Sequence, residues 1–268
     1  MKDATHKTRS NSSLLQRLLE DGSLAVSVTL IEAPQNVGAK MIVEADGIHR
    51  GDLGDQAIDA AAVRQAGVFL ASKEETRAFY GREFAPALQA FSEAQFLFEL
   101  IRPEPHLVIC GAGHVGASLA RLAALLGYRA TLIDDRKEFV RREDFPEQNI
   151  ELVLAESWSE AVTAVVGNGR GVSIAIVTRG HSEDEQCLRA SLTGSEPDYV
   201  GLIGSKRRTR IVLERLREAG IGSEQLKKVH APIGLDIGAV TPEEVALAIL
   251  AEVVAVRRGG SGGSLRKG

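Results

Sequence analysis

The segment Leu107-Val108-Ile109-Cys110 runs directly into Gly111-Ala112-Gly113-His114-Val115-Gly116, and an apolar helix pattern over 117–126 follows. A G-x-G-x-x-G loop placed between a strand and a helix suits phosphate chemistry. Gly111 permits the tight turn, Gly113 lets backbone N–H groups approach a pyrophosphate, and Gly116 allows close packing of helix on strand. The helix N-terminus adds partial positive charge and free N–H donors. A second apolar run, 130–133, ends in Asp134-Asp135. These carboxylates lie about twenty residues beyond the loop, where an acid binds a ribose 2′-hydroxyl. With His114 inside the loop, these residues form a candidate nucleotide site. The competing reading is a dinucleotide fold that has lost its ligand.

A second constellation begins at Gly201-Leu202-Ile203-Gly204-Ser205, after which Lys206-Arg207-Arg208-Thr209-Arg210 opens a helix. Four cations in the first turns oppose the helix dipole, which favours anions at that end. A bound phosphate resolves the conflict, with Gly204, Ser205, Lys206 and Arg207 as its contacts; a solvated basic face is the plainer alternative. Thr178-Arg179-Gly180-His181 closes another strand, so His181 and Asp184, three residues apart, are expected to share one crevice. His181, Asp184 and His230 are the acid–base candidates, although a lone histidine is more often a cap or a satisfied polar group. The histidines and acids are too scattered in sequence for a metal site, and none is expected.

The elements that must position these groups read as an α/β protein. From His106 onward, strands at 106–110, 129–134, 151–154, 172–177 and 198–203 alternate with helices near 114–127, 157–166, 184–193 and 206–219. This alternation predicts a Rossmann-type doubly wound parallel sheet. Ala231-Pro232-Ile233-Gly234-Leu235-Asp236-Ile237-Gly238 is a glycine-punctuated loop, and Thr241-Pro242-Glu243-Glu244 is a capping box that starts a further helix. Upstream, strands at 23–33, 40–44 and 95–102 and a helix at 55–71 predict a smaller α/β domain. Asn11 or Ser12 is placed to cap a short helix carrying Leu14, Leu15, Leu18 and Leu19. Pro103-Glu104-Pro105 reads as the connector, giving domains 1–102 and 103–258 and a Gly/Ser tail over 259–268.

Bulk properties narrow the function classes. The 268 residues carry a net charge of −4, with 44% hydrophobic and 25% charged residues. That balance points away from nucleic acid and membrane surfaces as partners. Residues 1–13 lack the apolar core of a secretory signal, and no apolar run is long enough to span a bilayer. Cys110 and Cys187 are the only cysteines, too few for a disulfide framework. A cytoplasmic protein is expected, with a homodimer as the default assembly.

Taken together, these motifs resemble the XdhC/CoxI family, accessory factors for maturation of xanthine dehydrogenase and related molybdenum hydroxylases. The resemblance rests on Leu107 to Gly116, Asp134-Asp135-Arg136, Thr178 to His181, Gly201 to Ser205, and His230 to Glu252. Gly38-Ala39-Lys40-Met41, Asp46-Gly47 and Gly51-Asp52-Leu53-Gly54 look like the family's N-terminal signature. The family usually continues with three glycines, often then a cysteine and a glutamate. This chain instead reads Gly54-Asp55-Gln56-Ala57-Ile58-Asp59. The resemblance implies a carrier that binds molybdenum cofactor (molybdopterin), supports its sulfuration with a cysteine desulfurase, and delivers it to an apo molybdenum hydroxylase. Such a carrier is not itself a catalyst of turnover. Two other classes stay open: an NAD(P)-dependent oxidoreductase with His181 or His230 as proton donor, and an NAD-sensing regulatory protein.

Overall fold

The structure, a computed structural model, describes residues 23–72 and 74–266, and its contacts divide the chain into two compact units between Pro103 and Glu104. The helix expected around Leu14 to Leu19 lies outside the described residues.

The N-terminal unit runs β1 (Ala25–Glu32), β2 (Lys40–Glu44), β3 (His49–Gly51), α1 (Gln56–Ser72), β4 (Thr76–Tyr80), α2 (Gly81–Phe84) and β5 (Gln95–Ile101). Its strands form an antiparallel sheet in the order β3-β2-β1-β5-β4, in register at Val26↔Val43 and Val28↔Phe98. Alternation along β1 and β5 sends Val26, Val28, Phe96 and Phe98 to the face that α1 covers with Ile58, Ala62 and Phe69. Phe79 meets Phe98 edge-on at 5.1 Å between ring centroids, and Phe84 meets Phe96 at 5.2 Å. Each fully buried aromatic contributes about 1.5–3 kcal/mol, as does each large aliphatic of this core, and a ring pair adds about 0.5–1.5 kcal/mol.

The second unit runs β6 (His106–Cys110), α3 (His114–Leu125), β7 (Arg129–Asp134), β8 (Ile150–Leu154), α4 (Trp158–Val166), β9 (Val172–Ile176), α5 (His181–Leu192), β10 (Tyr199–Leu202), α6 (Lys206–Glu218), α7 (Ser223–Lys227), β11 (Val229–His230) and α8 (Pro242–Arg258). All six strands pair in parallel in the order β11-β10-β9-β6-β7-β8, which is the Rossmann order. Both faces are covered. Leu107 and Ile109 of β6 pack toward α3 and α8, while Val108 and Cys110 pack toward α4, α5 and α6. Two-sided burial explains why these strands read as unbroken apolar runs. Strand order reverses between β6 and β9, so the crevice beyond their carboxyl ends is the expected ligand position.

Several boundaries differ from expectation. Helix α5 begins at His181 rather than 184, because its N-cap is Gly180, which has no side chain to announce a start. Strands β3, β4 and β11 and helices α2 and α7 are additional to the expected elements. Helix α8 starts as anticipated: Thr241 Oγ1 accepts from the Glu244 N–H, and Glu244 accepts from the Thr241 N–H at 3.0 Å. No helix among the described residues is long and apolar enough to cross a membrane.

Candidate functional site

The glycine loop sits at the carboxyl end of β6, on the switch point. Gly111 has φ +111°, and a Cβ there would lie 2.6 Å from the Val177 carbonyl oxygen, so only glycine fits. A Cβ at Gly116 would run into the Gly111 carbonyl, which is the close helix–strand approach expected of the third glycine. Gly113 is different. Its φ is −66°, and a Cβ there would meet nothing within 4 Å. The loop thus leaves open space directly before α3.

That space faces an uncapped helix. Side chains cap α1 (Asp55), α4 (Ser157), α6 (Ser205) and α8 (Thr241). The N-caps of α3 and α5, Gly113 and Gly180, supply no side-chain acceptor. These two helices follow β6 and β9 and so flank the switch point. Helix α5 meets its own dipole in part with Glu183 and Asp184, whereas the first turn of α3 holds no acid. The N-terminus of α3 is therefore the better prepared to receive an anion.

Two arginine–aspartate pairs border the loop. Asp134 is 1% exposed, and its Oδ2 accepts the Ala112 N–H at 2.7 Å. Arg136 donates to both of its oxygens, from Nε at 2.8 Å and Nη2 at 2.9 Å. Asp134, the sequence's ribose candidate, thus holds the glycine loop in place with its oxygens already engaged. Asp135 is more accessible and is gripped at both oxygens by Arg179, at 2.8 and 2.9 Å. The Arg179 guanidinium keeps the Asp135 carboxyl below the usual carboxylate range. Asp135 follows β7 and Arg179 follows β9, the two neighbours of β6, so this pair joins the loops on either side of the glycine loop. Arg179 was part of a motif in the sequence, but its role was not legible, because its partner is 44 residues away.

The acid–base candidates separate. His181 lies exposed at the start of α5, whereas Asp184, three residues on, is fully buried. The Asp184 carboxylate accepts from Thr178 Oγ1 at 2.5 Å and from Arg208 Nη2 at 2.6 Å. Burial pushes its carboxyl above the usual range, against the pull of Thr178 and Arg208. One of the four cations that opened α6 is thereby accounted for: Arg208 neutralises a buried acid.

The remaining predicted contacts are spread over α3, α6 and β11. His114 is the exposed first residue of α3, and Lys206 and Arg207 are exposed on α6. Gly204 has φ +146°, and Ser205 caps α6, accepting from the Arg208 N–H at 3.2 Å. His230 Nδ1 lies 3.3 Å from Glu252 Oε1 and stacks beside Tyr199, 4.5 Å between ring centroids. Glu252 Oε2 also accepts from Tyr199 Oη at 2.5 Å and the Gly234 N–H at 2.8 Å. Burial, then Glu252, raises the Tyr199 hydroxyl far above its ordinary pKa. Tyr199 and Glu252 were missed as a pair, since 53 residues separate them. Among the described residues, no three histidines, cysteines or acids converge as a metal site. In the N-terminal unit, the non-glycine loop has structural work of its own. Asp55 caps α1, and Asp59 Oδ1 accepts the Leu53 N–H at 2.8 Å.

Residues 107–253 match the XdhC Rossmann domain, and residues 18–81 match the XdhC and CoxI family. The chain is 32% identical to the uncharacterized protein YqeB of Escherichia coli strain K12, over 85% of this chain and 42% of YqeB. It is 29% identical to a probable xanthine dehydrogenase subunit of Bacillus subtilis strain 168, over 64% of this chain and 49% of that one. The chain thus spans about half the length or less of these two relatives. The molybdenum cofactor insertion chaperone PaoD of Escherichia coli strain K12 is 25% identical, over 89% of this chain and 85% of PaoD. A crystal structure of a xanthine dehydrogenase from Bacillus halodurans superposes with a TM-score of 0.51 at 17% identity, covering 94% of this chain and 97% of that one, a likeness of fold.

Proposed function

This chain belongs to the XdhC and CoxI family, and on that premise we propose that it is a maturation factor for a molybdenum hydroxylase of the xanthine dehydrogenase type. It binds molybdenum cofactor, presents it for sulfuration by a cysteine desulfurase, and passes it to the apo-enzyme. Support comes from the relatives named a cofactor insertion chaperone and a probable xanthine dehydrogenase component. The observation that carries the reading is the open space before Gly113 at an uncapped helix start. A phosphorylated, anionic ligand fits there: the α3 N–H groups receive its phosphate, with Arg179 of the loop after β9 assigned as its cation. The cargo's redox chemistry is expressed in the recipient enzyme, and the residues of this chain bind, orient and release it.

Gly113→Val tests the reading. Its backbone is ordinary and its surroundings open, so the fold is expected to keep its stability within about 1 kcal/mol. The side chain then fills the space a phosphate needs, and cofactor affinity is expected to fall at least about tenfold. In cells co-producing an apo molybdenum hydroxylase, wild-type protein is expected to raise the specific activity of that enzyme without changing its amount. Equal support from Gly113→Val would overturn the assignment of the loop.

The Asp135–Arg179 pair is read as a latch that a ligand phosphate opens by taking over Arg179. Half-exposed pairs are worth about 1 kcal/mol or less, so exchanging the partner costs little stability. Asp135→Asn is expected to tighten binding of a phosphorylated ligand about threefold, and Arg179→Ala to weaken it about tenfold. Calorimetric titration distinguishes these; shifts of the same sign would mean that the pair only braces the loops.

A further inference from the structure

Beyond the crevice, the outer face of α6 borders an open trough of about 500 Å³ shared with α7. Lys206, Arg210, Leu213 and Arg217 line one wall, and Leu226 and Lys227 line the other. The four α6 residues recur at steps of four, three and four, so they form one stripe along a single helix face. At 1.5 Å of rise per residue the stripe is about 16 Å long. The adjoining face is turned to the unit's core, where Val212 and Leu216 are buried, and the buried Thr209 lies at the edge between core and trough.

The charge of the trough does not follow from the chain's overall balance, which is net negative. Glu214 is the one acid along it and lies 3.8 Å from Arg210 in an exposed pair. Lys227 is paired with Glu224 at 2.7 Å. For Lys206 and Arg217, no acidic partner lies within 4.0 Å among the described residues. Lys206 also sits at the positive end of the α6 dipole, where a cation is disfavoured unless an anion approaches.

We propose that this trough docks an acidic amphipathic helix of a partner protein. The arrangement of the cations decides against a compact anion. A single phosphate is held by groups that converge, whereas these are strung along a helix axis with Leu213 and Leu226 between them. A second helix laid parallel to α6 places apolar side chains on the two leucines and carboxylates opposite Lys206, Arg210 and Arg217, the helix-in-groove mode. The proposal stands whether or not the crevice at Gly113 carries a cofactor, since it shares none of the loop's residues.

The test uses the full chain and a fluorescein-labelled synthetic helix of about fourteen residues, with leucines on one stripe and glutamates flanking it. Anisotropy is expected to report saturable binding that weakens at least tenfold between about 50 and 500 mM NaCl. The triple variant Lys206→Glu/Arg210→Glu/Arg217→Glu is expected to lose roughly tenfold or more in affinity. Leu213→Gln, which keeps every charge, is expected to lose about threefold, an effect bare charge attraction does not produce. Circular dichroism confirms that both variants are folded. The proposal is overturned if a scrambled peptide of equal composition binds as well, if Leu213→Gln binds like wild type, or if inorganic pyrophosphate displaces the peptide at equal charge.

Discussion

Asp184→Ala is expected to lower the unfolding free energy by about 3 kcal/mol. The carboxylate is fully buried and receives Thr178 Oγ1 and the Arg208 guanidinium, so alanine leaves the guanidinium facing a void and Thr178 with only its longer contact to the Gly180 carbonyl at 3.3 Å. Breaking a buried ion pair from one side costs about 3–5 kcal/mol, and the lower end applies because Arg208 keeps partial contact with water. Asp184→Asn separates the contributions. It retains the volume and an acceptor for Thr178 while removing the charge, and about half the loss is expected. Urea unfolding reads both values. The consequence extends past stability, because Thr178 begins the loop that carries Arg179. Release of that loop is expected to weaken phosphate binding in the alanine variant even where the protein remains folded. A loss under about 1 kcal/mol would mean that the pair is not the clamp the geometry describes.

That clamp also shows where reading residues in order succeeds and where it fails. Strands β6, β7, β9 and β10 were legible because burial on both faces makes them continuous apolar runs. The glycine loop was legible because its residue types answer to backbone geometry that glycine alone satisfies at Gly111 and Gly116. Strand β4 was not, since only Phe79 of its five residues is buried and no alternation results. Strand β3 is exposed throughout, and β11 has two residues. Site chemistry fails differently. Asp184 and His181 have helical spacing suitable for a pair, yet spacing does not reveal that Arg208, 24 residues on, claims the acid. Asp134 stands where a ribose acid belongs, but whether its oxygens are free depends on Arg136 and on the Ala112 N–H. The partners of a charged residue are tertiary facts, and they decide whether it meets a ligand or holds the scaffold.

Stability is also expected to fall by about 3 kcal/mol as the pH is lowered from about 6.5 to 4, through His106. This residue opens β6, is 8% exposed, and its Nε2 lies 2.8 Å from Thr131 Oγ1. Burial, reinforced by nearby Arg129 and opposed by Glu151, lowers its pKa from 6.5 to about 4. The folded protein therefore keeps the ring neutral in a range where the unfolded chain binds a proton. Unfolding takes up that proton, so the contribution is fully present above pH 6.5 and is lost progressively as the pH falls toward 4. The slope is about 1.4 kcal/mol per unit within the window and vanishes above it. Glu151, whose carboxyl Arg129 holds low, adds its own loss at more acidic pH, so wild type must be compared with a variant. His106→Gln keeps a polar group for Thr131 and does not titrate. Subtracting its unfolding free energies from those of wild type cancels the shared carboxylates. The difference is expected to be flat from about pH 8 to 6.5 and then to move steadily against wild type down to about pH 4. Parallel curves would show that the imidazole is protonated in the folded state and that the strand opening is wetter than its burial indicates.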